Sequence, residues 1–169
     1  MNLEYTRTRM SNNAEAIRNL VQDIEPRQAR WRPAPDSWSI LEVINHLFDE
    51  EREDFRRRLM FILDQETGTM PPIDPAGWVT ERNYNERELQ ESLDGFLAER
   101  ESSLAWLAKL NSPDWDAFYE APFGRMRAGD MLASWLAHDQ LHMRQLVELQ
   151  FAWLAQLTQP YSAEYAGAW

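Results

Sequence analysis

Residues 38–50, with the sequence WSILEVINHLFDE, mark the start of a long helix and decide the class of fold. Ser39 can cap the first turn, while Glu42, three residues later, reaches back as the other half of a capping box. Trp38 and Val43 occupy the two positions of a hydrophobic staple. Beyond this start, the apolar stripe of the predicted helix continues through Ile40, Ile44, Leu47, Phe55, Leu59 and Ile62.

Three further stretches show the same helical periodicity and indicate an all-α protein. The first predicted helix covers about Tyr5 to Ile24. The third begins at Asn85, which together with Glu88 repeats the spacing of a capping box. The fourth runs from about Asp130 to Leu157. Four helices with one apolar stripe each predict a four-helix bundle, and the length of 169 residues fits one domain over residues 1–169.

The connection between the second and third helices is unusually long. Residues 67–83 read TGTMPPIDPAGWVTERN, and their three prolines and two glycines rule out a continuous helix. Loops of this length inside a compact domain commonly cross the fold or cover a site. We therefore expect this segment to be a crossover and a candidate lid.

Composition excludes several classes of function. A formal net charge of −11 repels phosphate backbones, so nucleic acid is not an expected partner. The chain has no cysteine, which excludes disulfides, thiolate ligands and a cysteine nucleophile. No run of roughly 18 apolar residues is present and the N-terminus has no apolar signal region, so we expect a cytoplasmic protein with no membrane span.

Two histidines lie on the predicted inward face of the fourth helix. His138 and His142 are four residues apart, so both imidazoles can reach one ion. The same stripe contains Met131, Trp135, His138, His142, Gln145, Leu149 and Trp153. A surface pair, or a pair bonded to neighbouring carboxylates, is the alternative that spacing alone leaves open. Their place on a core stripe favours a metal, because buried imidazole nitrogens need partners.

His46, on the second helix, is the third candidate ligand. A single histidine at a helix edge is more often a core residue bonded to a carbonyl or carboxylate. Glu50 lies one turn further along, where it could be a fourth ligand or accept a ring N–H, with plain solvent exposure as the alternative. If the three rings meet, they would bind one divalent metal ion.

Three segments together resemble the DinB family, also called the DinB/YfiT-like family. They are W-S-I-x-E-V-I-N-H-L-x-D-E at residues 38–50, residues 78–84, and W-L-A-H-D-Q-L-H-M-R-Q-L at residues 135–146. The resemblance spans almost the whole chain. The family pattern has one histidine on the second helix and H-x-x-x-H on the fourth, and His46, His138 and His142 match it position by position.

This resemblance implies more than the residues do alone. It implies an up-down-down-up bundle, a three-histidine site for zinc, nickel or iron, and a homodimer. Some relatives are transferases and isomerases that use low-molecular-weight thiols such as bacillithiol or mycothiol.

Several other side chains are candidates for the surroundings of the site. Gln145 could hydrogen-bond a ligand or substrate, or be a buried amide bonded to the backbone. Trp38 and Arg82 lie in or beside loops expected to frame the site, although tryptophan is usually a core residue. Arg100 interrupts the apolar stripe of the third helix and could meet a carboxylate of a substrate. We expect it instead to pair with an internal Asp or Glu, or to extend outward to solvent.

Two functional hypotheses follow. The first is a metal-dependent enzyme, either a thiol-dependent S-transferase or a related hydrolase, acting on a small-molecule substrate such as a low-molecular-weight thiol. The second is a non-catalytic, stress-related binding or scaffold bundle with a structural metal or none, in which Tyr161, Tyr165 and Trp169 make a dimer contact. A ferritin-like di-iron site and an H-E-x-x-H protease are excluded, since neither motif occurs.

Overall fold

The computed structural model describes residues 1–122 and 124–167. Its first helix, α1, spans Leu3–Val21 and begins where the Asn2 side chain accepts a hydrogen bond from the Tyr5 N–H at 3.0 Å. It ends three residues before the predicted Ile24. A short helix, α2 (Pro26–Ala29), follows and leads into the second long helix.

The second long helix consists of three consecutive parts: α3 (Ile40–Asp49), a π-helix (Glu50–Phe55) and α4 (Arg56–Leu63). Both bonds of the predicted capping box are present. Ser39 Oγ accepts from the Glu42 N–H at 3.1 Å, and the Ser39 N–H donates to Glu42 Oε2 at 2.8 Å. The π-helix was not predicted, and such wider turns occur often at functional sites.

The connection to the third helix contains structure that the sequence did not predict. Residues Pro75–Glu81 form a helix, α5, capped by Asp74, and a 3-10 turn follows at Tyr84–Glu86. Trp78, Val79 and Tyr84 are buried against Trp38 and Ile73. This part of the segment is therefore packed onto the fold rather than an open loop.

The predicted start of the third helix was wrong. Helix α6 spans Leu89–Leu107 and follows Glu88, whose side chain makes no capping bond. Asn85 instead joins segments of the chain: its Oδ1 accepts from Ser39 Oγ at 2.7 Å, and its Nδ2 donates to the Arg30 carbonyl at 3.2 Å. The side chain that resembled a cap is thus engaged in tertiary contacts.

A small antiparallel hairpin corrects the all-α prediction. Strands β1 (Phe118–Ala121) and β2 (Gly124–Arg127) pair with Tyr119 opposite Met126, within a stretch expected to be irregular. Helix α7 follows directly and spans Ala128–Leu157, close to the predicted bounds. Helices otherwise dominate the described part of the chain.

The core is divided into two clusters along α7. Trp135 belongs to the first cluster, with Phe55, Leu59, Ile62, Leu107 and Met131. Leu146 belongs to the second, with Ile17, Val43, Ile44, Leu93 and Phe96. Helix α1 packs on α6 and α7, and the second long helix packs on the same two. His138 and His142 lie on α7 between the two apolar clusters.

Two sequence-based expectations concern the surface: the absence of a membrane span and a dimer contact at the C-terminal aromatic residues. Within residues 1–122 and 124–167, no helix combines the length and apolar character needed to cross a bilayer. Tyr161 and Tyr165 are exposed, while Trp169 lies outside the described residues. The dimer contact suggested for these aromatic residues remains a prediction.

Candidate metal centre

Three imidazole rings from two helices meet at one point. His46 Nε2 lies 3.1 Å from His138 Nε2, and His142 Nε2 lies 3.0 Å from the same atom. One nitrogen from each ring lies within 4.8 Å of the other two. His46 is buried, and His138 and His142 are partly buried. The predicted convergence of the three side chains is therefore present in the fold.

Neighbouring side chains orient each ring. The Trp38 ring lies 4.9 Å from that of His46, and the Phe55 ring, at the end of the π-helix, lies 4.9 Å from that of His138. Gln145 Oε1 lies 2.8 Å from His142 Nδ1. If that nitrogen carries the proton and donates it to Gln145, the lone pair of His142 is on Nε2, facing the other rings.

The electrostatic environment keeps the three rings neutral. Burial lowers the pKa of His46 to about 3, with repulsion from His142 as the second cause. Burial, followed by repulsion from His142 and His46, lowers the pKa of His138 to about 2. Burial also lowers the pKa of His142. Neutral imidazoles are the form that binds metals, so the site is ready for an ion at neutral pH.

The donor atoms fit a divalent ion. Two nitrogens that each lie 2.0–2.1 Å from a tetrahedral zinc ion are about 3.3 Å apart, close to the 3.0 and 3.1 Å found here. His46 Nδ1 is buried and has no hydrogen-bond partner among the described residues. Burying an unpaired nitrogen costs about 1–3 kcal/mol, so His46 occupies this position at a cost to folding stability.

Glu50 is buried rather than exposed, contrary to the alternative considered from sequence. Only 4% of its surface is accessible, and its carboxylate is not among the atoms grouped within 4.8 Å. Burial, and next the charge of Asp54, raises the pKa of Glu50 to about 9. Burial likewise raises the pKa of Asp54, despite Arg58 at 2.5 Å. We interpret the two carboxyls as sharing a proton within the π-helix.

This carboxyl pair predicts a pH dependence. A folded-state pKa near 9, above the ordinary 4.5, means that the folded protein binds the proton more tightly. Stability should therefore fall as the pH rises from about 4.5 to 9. Glu50→Gln is neutral throughout, so in metal-free protein we expect it to match the wild type near pH 5 and exceed it by about 1–3 kcal/mol at pH 9.

Urea unfolding at a series of pH values would measure this difference. Glu101→Gln, an exposed change on α6, is the control and should leave the pH slope as it is. A Glu50→Gln difference that stays constant from pH 5 to 9 would show that Glu50 does not take up a proton on folding.

Arg82 lies in an ion-pair cluster beside the second long helix. Its Nη1 donates to Asp49 Oδ2 at 2.7 Å and to Glu53 Oε1 at 2.8 Å, and Tyr84 Oη donates to Asp49 at 2.6 Å. Its guanidinium also stacks 4.1 Å from the centroid of the Trp78 ring. These contacts join α5 to the helix that carries His46.

A buried ionic network lies on the core-facing side of α7. Arg100 bonds both oxygens of Glu51 at 2.8 and 2.9 Å and both oxygens of Asp139 at 2.8 Å. Trp135 Nε1 donates to Glu51 at 2.9 Å, and Asn13 donates to Asp139 at 3.0 Å. The predicted internal pairing of Arg100 is confirmed, whereas its partners were not foreseen. Because Asp139 follows His138, the network fixes the rotation of α7 at the histidines.

A surface pocket of about 600 Å³ reaches one of the three histidines, His142. His142, Gln145 and Trp38 form part of its wall, so two of the side chains proposed to frame the site do line a cavity beside it. The remaining lining residues are Pro33, Asp36, Ser37, Glu148, Leu149 and Ala152. The pocket is open to solvent, which gives a small molecule access to the edge of the three-histidine group.

Comparison with known proteins is consistent with this geometry. A family model described as the DinB superfamily matches residues 9–146, and the chain therefore belongs to that superfamily. Its fold is similar to that of YfiT from Bacillus subtilis, with a TM-score of 0.77 and 17% sequence identity over 88% of this chain and 85% of that one. YfiT is described as a probable metal-dependent hydrolase with an unusual four-helix bundle topology. No curated protein matches this chain.

Proposed function

We propose that the protein is an enzyme that uses one divalent metal ion, held by His46, His138 and His142, to activate a small nucleophile. The observation that carries this proposal is the meeting of the three Nε2 atoms at 3.0 and 3.1 Å beside an open pocket. The reaction we propose is thiol transfer or a related hydrolysis. YfiT, described as a probable metal-dependent hydrolase, supports the same class of activity by similarity.

The number of protein ligands supports a catalytic site. Structural zinc sites have four protein ligands, whereas catalytic sites have three and leave a position for water or substrate. The described residues bring three histidines together, and the carboxylate of Glu50 is not part of that group. A bound divalent ion would supply a Lewis acid that lowers the pKa of a coordinated water or thiol.

The residues around the histidines have supporting roles in this proposal. With the proton of His142 on Nδ1, Gln145 Oε1 would accept a hydrogen bond from that N–H and keep the Nε2 lone pair turned toward the other rings. Trp38 covers His46 on the pocket side and limits the access of water to that ring. Phe55 packs on His138 from the core side. The histidine rings are thus held between an aromatic wall and the apolar core.

Other parts of the proposal follow from the family. We propose an up-down-down-up bundle in which the segment between α4 and α6 makes the crossover. We further propose a cytoplasmic homodimer whose substrate is a small molecule, with a low-molecular-weight thiol as the first candidate. Zinc, nickel and iron all accept imidazole ligands, so the donor set is compatible with each of them.

Cobalt substitution tests the proposed function. Protein prepared without a histidine tag and stripped of metal would be titrated with Co²⁺, and then with 2-mercaptoethanol, while the absorption spectrum is recorded. We expect one cobalt ion per chain and a new sulfur-to-cobalt charge-transfer band when the thiol is added. A spectrum that neither the thiol nor a change of pH alters would indicate a closed structural site and would contradict the proposal.

A further inference from the structure

The wall of the pocket beside the histidines carries charge of one sign. Asp36 lies before the second long helix and Glu148 lies on α7, and both side chains line the pocket together with His142. No lysine or arginine of the described residues lines it. Among the described residues that line the pocket, His142 is the only other titratable group.

An arginine outside the wall does not cancel this charge. Arg144 Nε lies 3.3 Å from Glu148 Oε1, one turn away on the same helix. Both side chains are well exposed, and exposed pairs of this kind are weak and screened by salt. Asp36 has no ion-pair partner among the described residues, and its side chain is exposed. Glu148 and Asp36 therefore both remain available to a bound molecule.

The pocket also contains a ring suited to a cation. The Trp38 indole lines the same cavity, and tryptophan is the aromatic side chain that attracts ammonium groups most strongly. Leu149 and Ala152 supply apolar surface for a short carbon chain. Two carboxylates, an indole and a patch of aliphatic surface are together the features that recognise an alkylammonium group.

We propose that this pocket binds substrates that carry a cationic group, such as an ammonium, and discriminates against anionic ones. This inference rests on the proposed function, because it assigns a charge to the substrate of that function, whose nucleophilic end would reach the histidines. A bound divalent ion would attract a thiolate beside His142, while Asp36 and Glu148 attract a positive group within the same cavity. Asp36 and Glu148 are then the residues that determine substrate charge.

Three thiols of similar size test this proposal on cobalt-loaded protein. Cysteamine carries an ammonium, 2-mercaptoethanol is neutral and 3-mercaptopropionate carries a carboxylate. The thiols differ in basicity, so their dissociation constants are not compared directly. The measured quantity is the dissociation constant of 3-mercaptopropionate divided by that of cysteamine. This ratio is determined for the wild type and for the Asp36→Asn/Glu148→Gln double variant. In dilute buffer we expect this ratio to be about tenfold larger in the wild type, from two charges within several ångströms of the ligand.

Salt and a distant substitution provide the controls. In 1 M salt, where the Debye length is about 3 Å, the difference between wild type and double variant should largely disappear. Glu101→Gln removes one negative charge from α6, away from the pocket wall, and should leave the ratio unchanged within about twofold. A ratio that is the same in wild type and double variant would overturn the proposal, even if all three thiols bind.

A second measurement keeps the inference separate from the proposed function. If no thiol alters the cobalt spectrum, metal-free protein labelled with ¹⁵N would be titrated with butylammonium and with butyrate. Shifts at the Trp38 indole N–H and the Ala152 amide with butylammonium alone would support a cation-binding pocket without thiol chemistry. Equal shifts with both compounds, shifts with butyrate alone, or no shifts with either would overturn the proposal.

Discussion

Replacing Arg100 with methionine is expected to lower the free energy of unfolding by about 3–5 kcal/mol, the usual cost of breaking a buried ion pair from one side. Arg100 is 2% exposed and bonds both oxygens of Glu51 and both oxygens of Asp139, which are 2% and 0% exposed. Methionine would fill a similar volume but would leave two carboxylates buried without a cation. The loss would therefore come from uncompensated charge rather than from a cavity.

Urea unfolding of the variant would measure this loss, and two further variants would identify its cause. Arg100→Met combined with Glu51→Gln and Asp139→Asn removes the stranded charges and should regain much of the stability. Arg125→Met breaks the exposed pair with Glu120, in which the two side chains are 59% and 62% exposed, and should cost less than about 1 kcal/mol. A loss below 1 kcal/mol for Arg100→Met would mean that the network contributes little.

The second large effect concerns the central ring of the histidine group. His138 Nε2 is the atom that approaches both other rings, so His138→Ala would remove the ligand between them. Loss of a residue that only orients a ligand commonly weakens metal binding by 10–100-fold. We expect loss of a direct ligand to exceed this range, so that zinc affinity falls by more than about a hundredfold.

Competition with a chromophoric zinc chelator would measure the affinity. Gln156→Ala changes an exposed position on the same helix, contacts none of the three rings in the described structure, and serves as the control. Circular dichroism would establish that His138→Ala is folded, as expected for loss of a partly buried side chain. A folded variant that binds zinc as tightly as the wild type would show that His138 is not a ligand.

The sequence predicted the parts of the fold that depend on local chemistry. Ser39 and Glu42 form a capping box wherever a helix starts at that point, and the structure has both of its bonds. The four-residue spacing of His138 and His142 places both rings on one face of any helix. Membership of the DinB superfamily, suggested by the motifs around these residues, is confirmed by the family model.

Other features of the fold could not be predicted from the sequence. The π-helix at Glu50–Phe55 has no local signal, and Glu50, for which solvent exposure was one alternative, is buried within it. Asn85 resembles a helix cap, yet Ser39 and Arg30 occupy its side chain, so α6 starts four residues later. For Asn85, partners far away in sequence outweigh the local preference.

The partners of buried charged residues could not be predicted from the sequence either. An arginine on an apolar stripe indicates that a buried carboxylate is near, but not which one. Glu51 and Asp139 looked like ordinary helix residues, although Asp139 directly follows a candidate ligand. Asp36 and Glu148 were likewise unremarkable until the fold placed them in one pocket with His142.

Anomalous X-ray diffraction tests the central claim most directly. X-ray fluorescence would first identify the metal in crystals of untagged protein, and diffraction data would then be recorded on both sides of its absorption edge. We expect one strong peak, about 2.0–2.1 Å from Nε2 of His46, His138 and His142 for zinc. A peak bound by other side chains, a His46 ring turned away from the other two, or no peak after soaking in zinc would contradict the account.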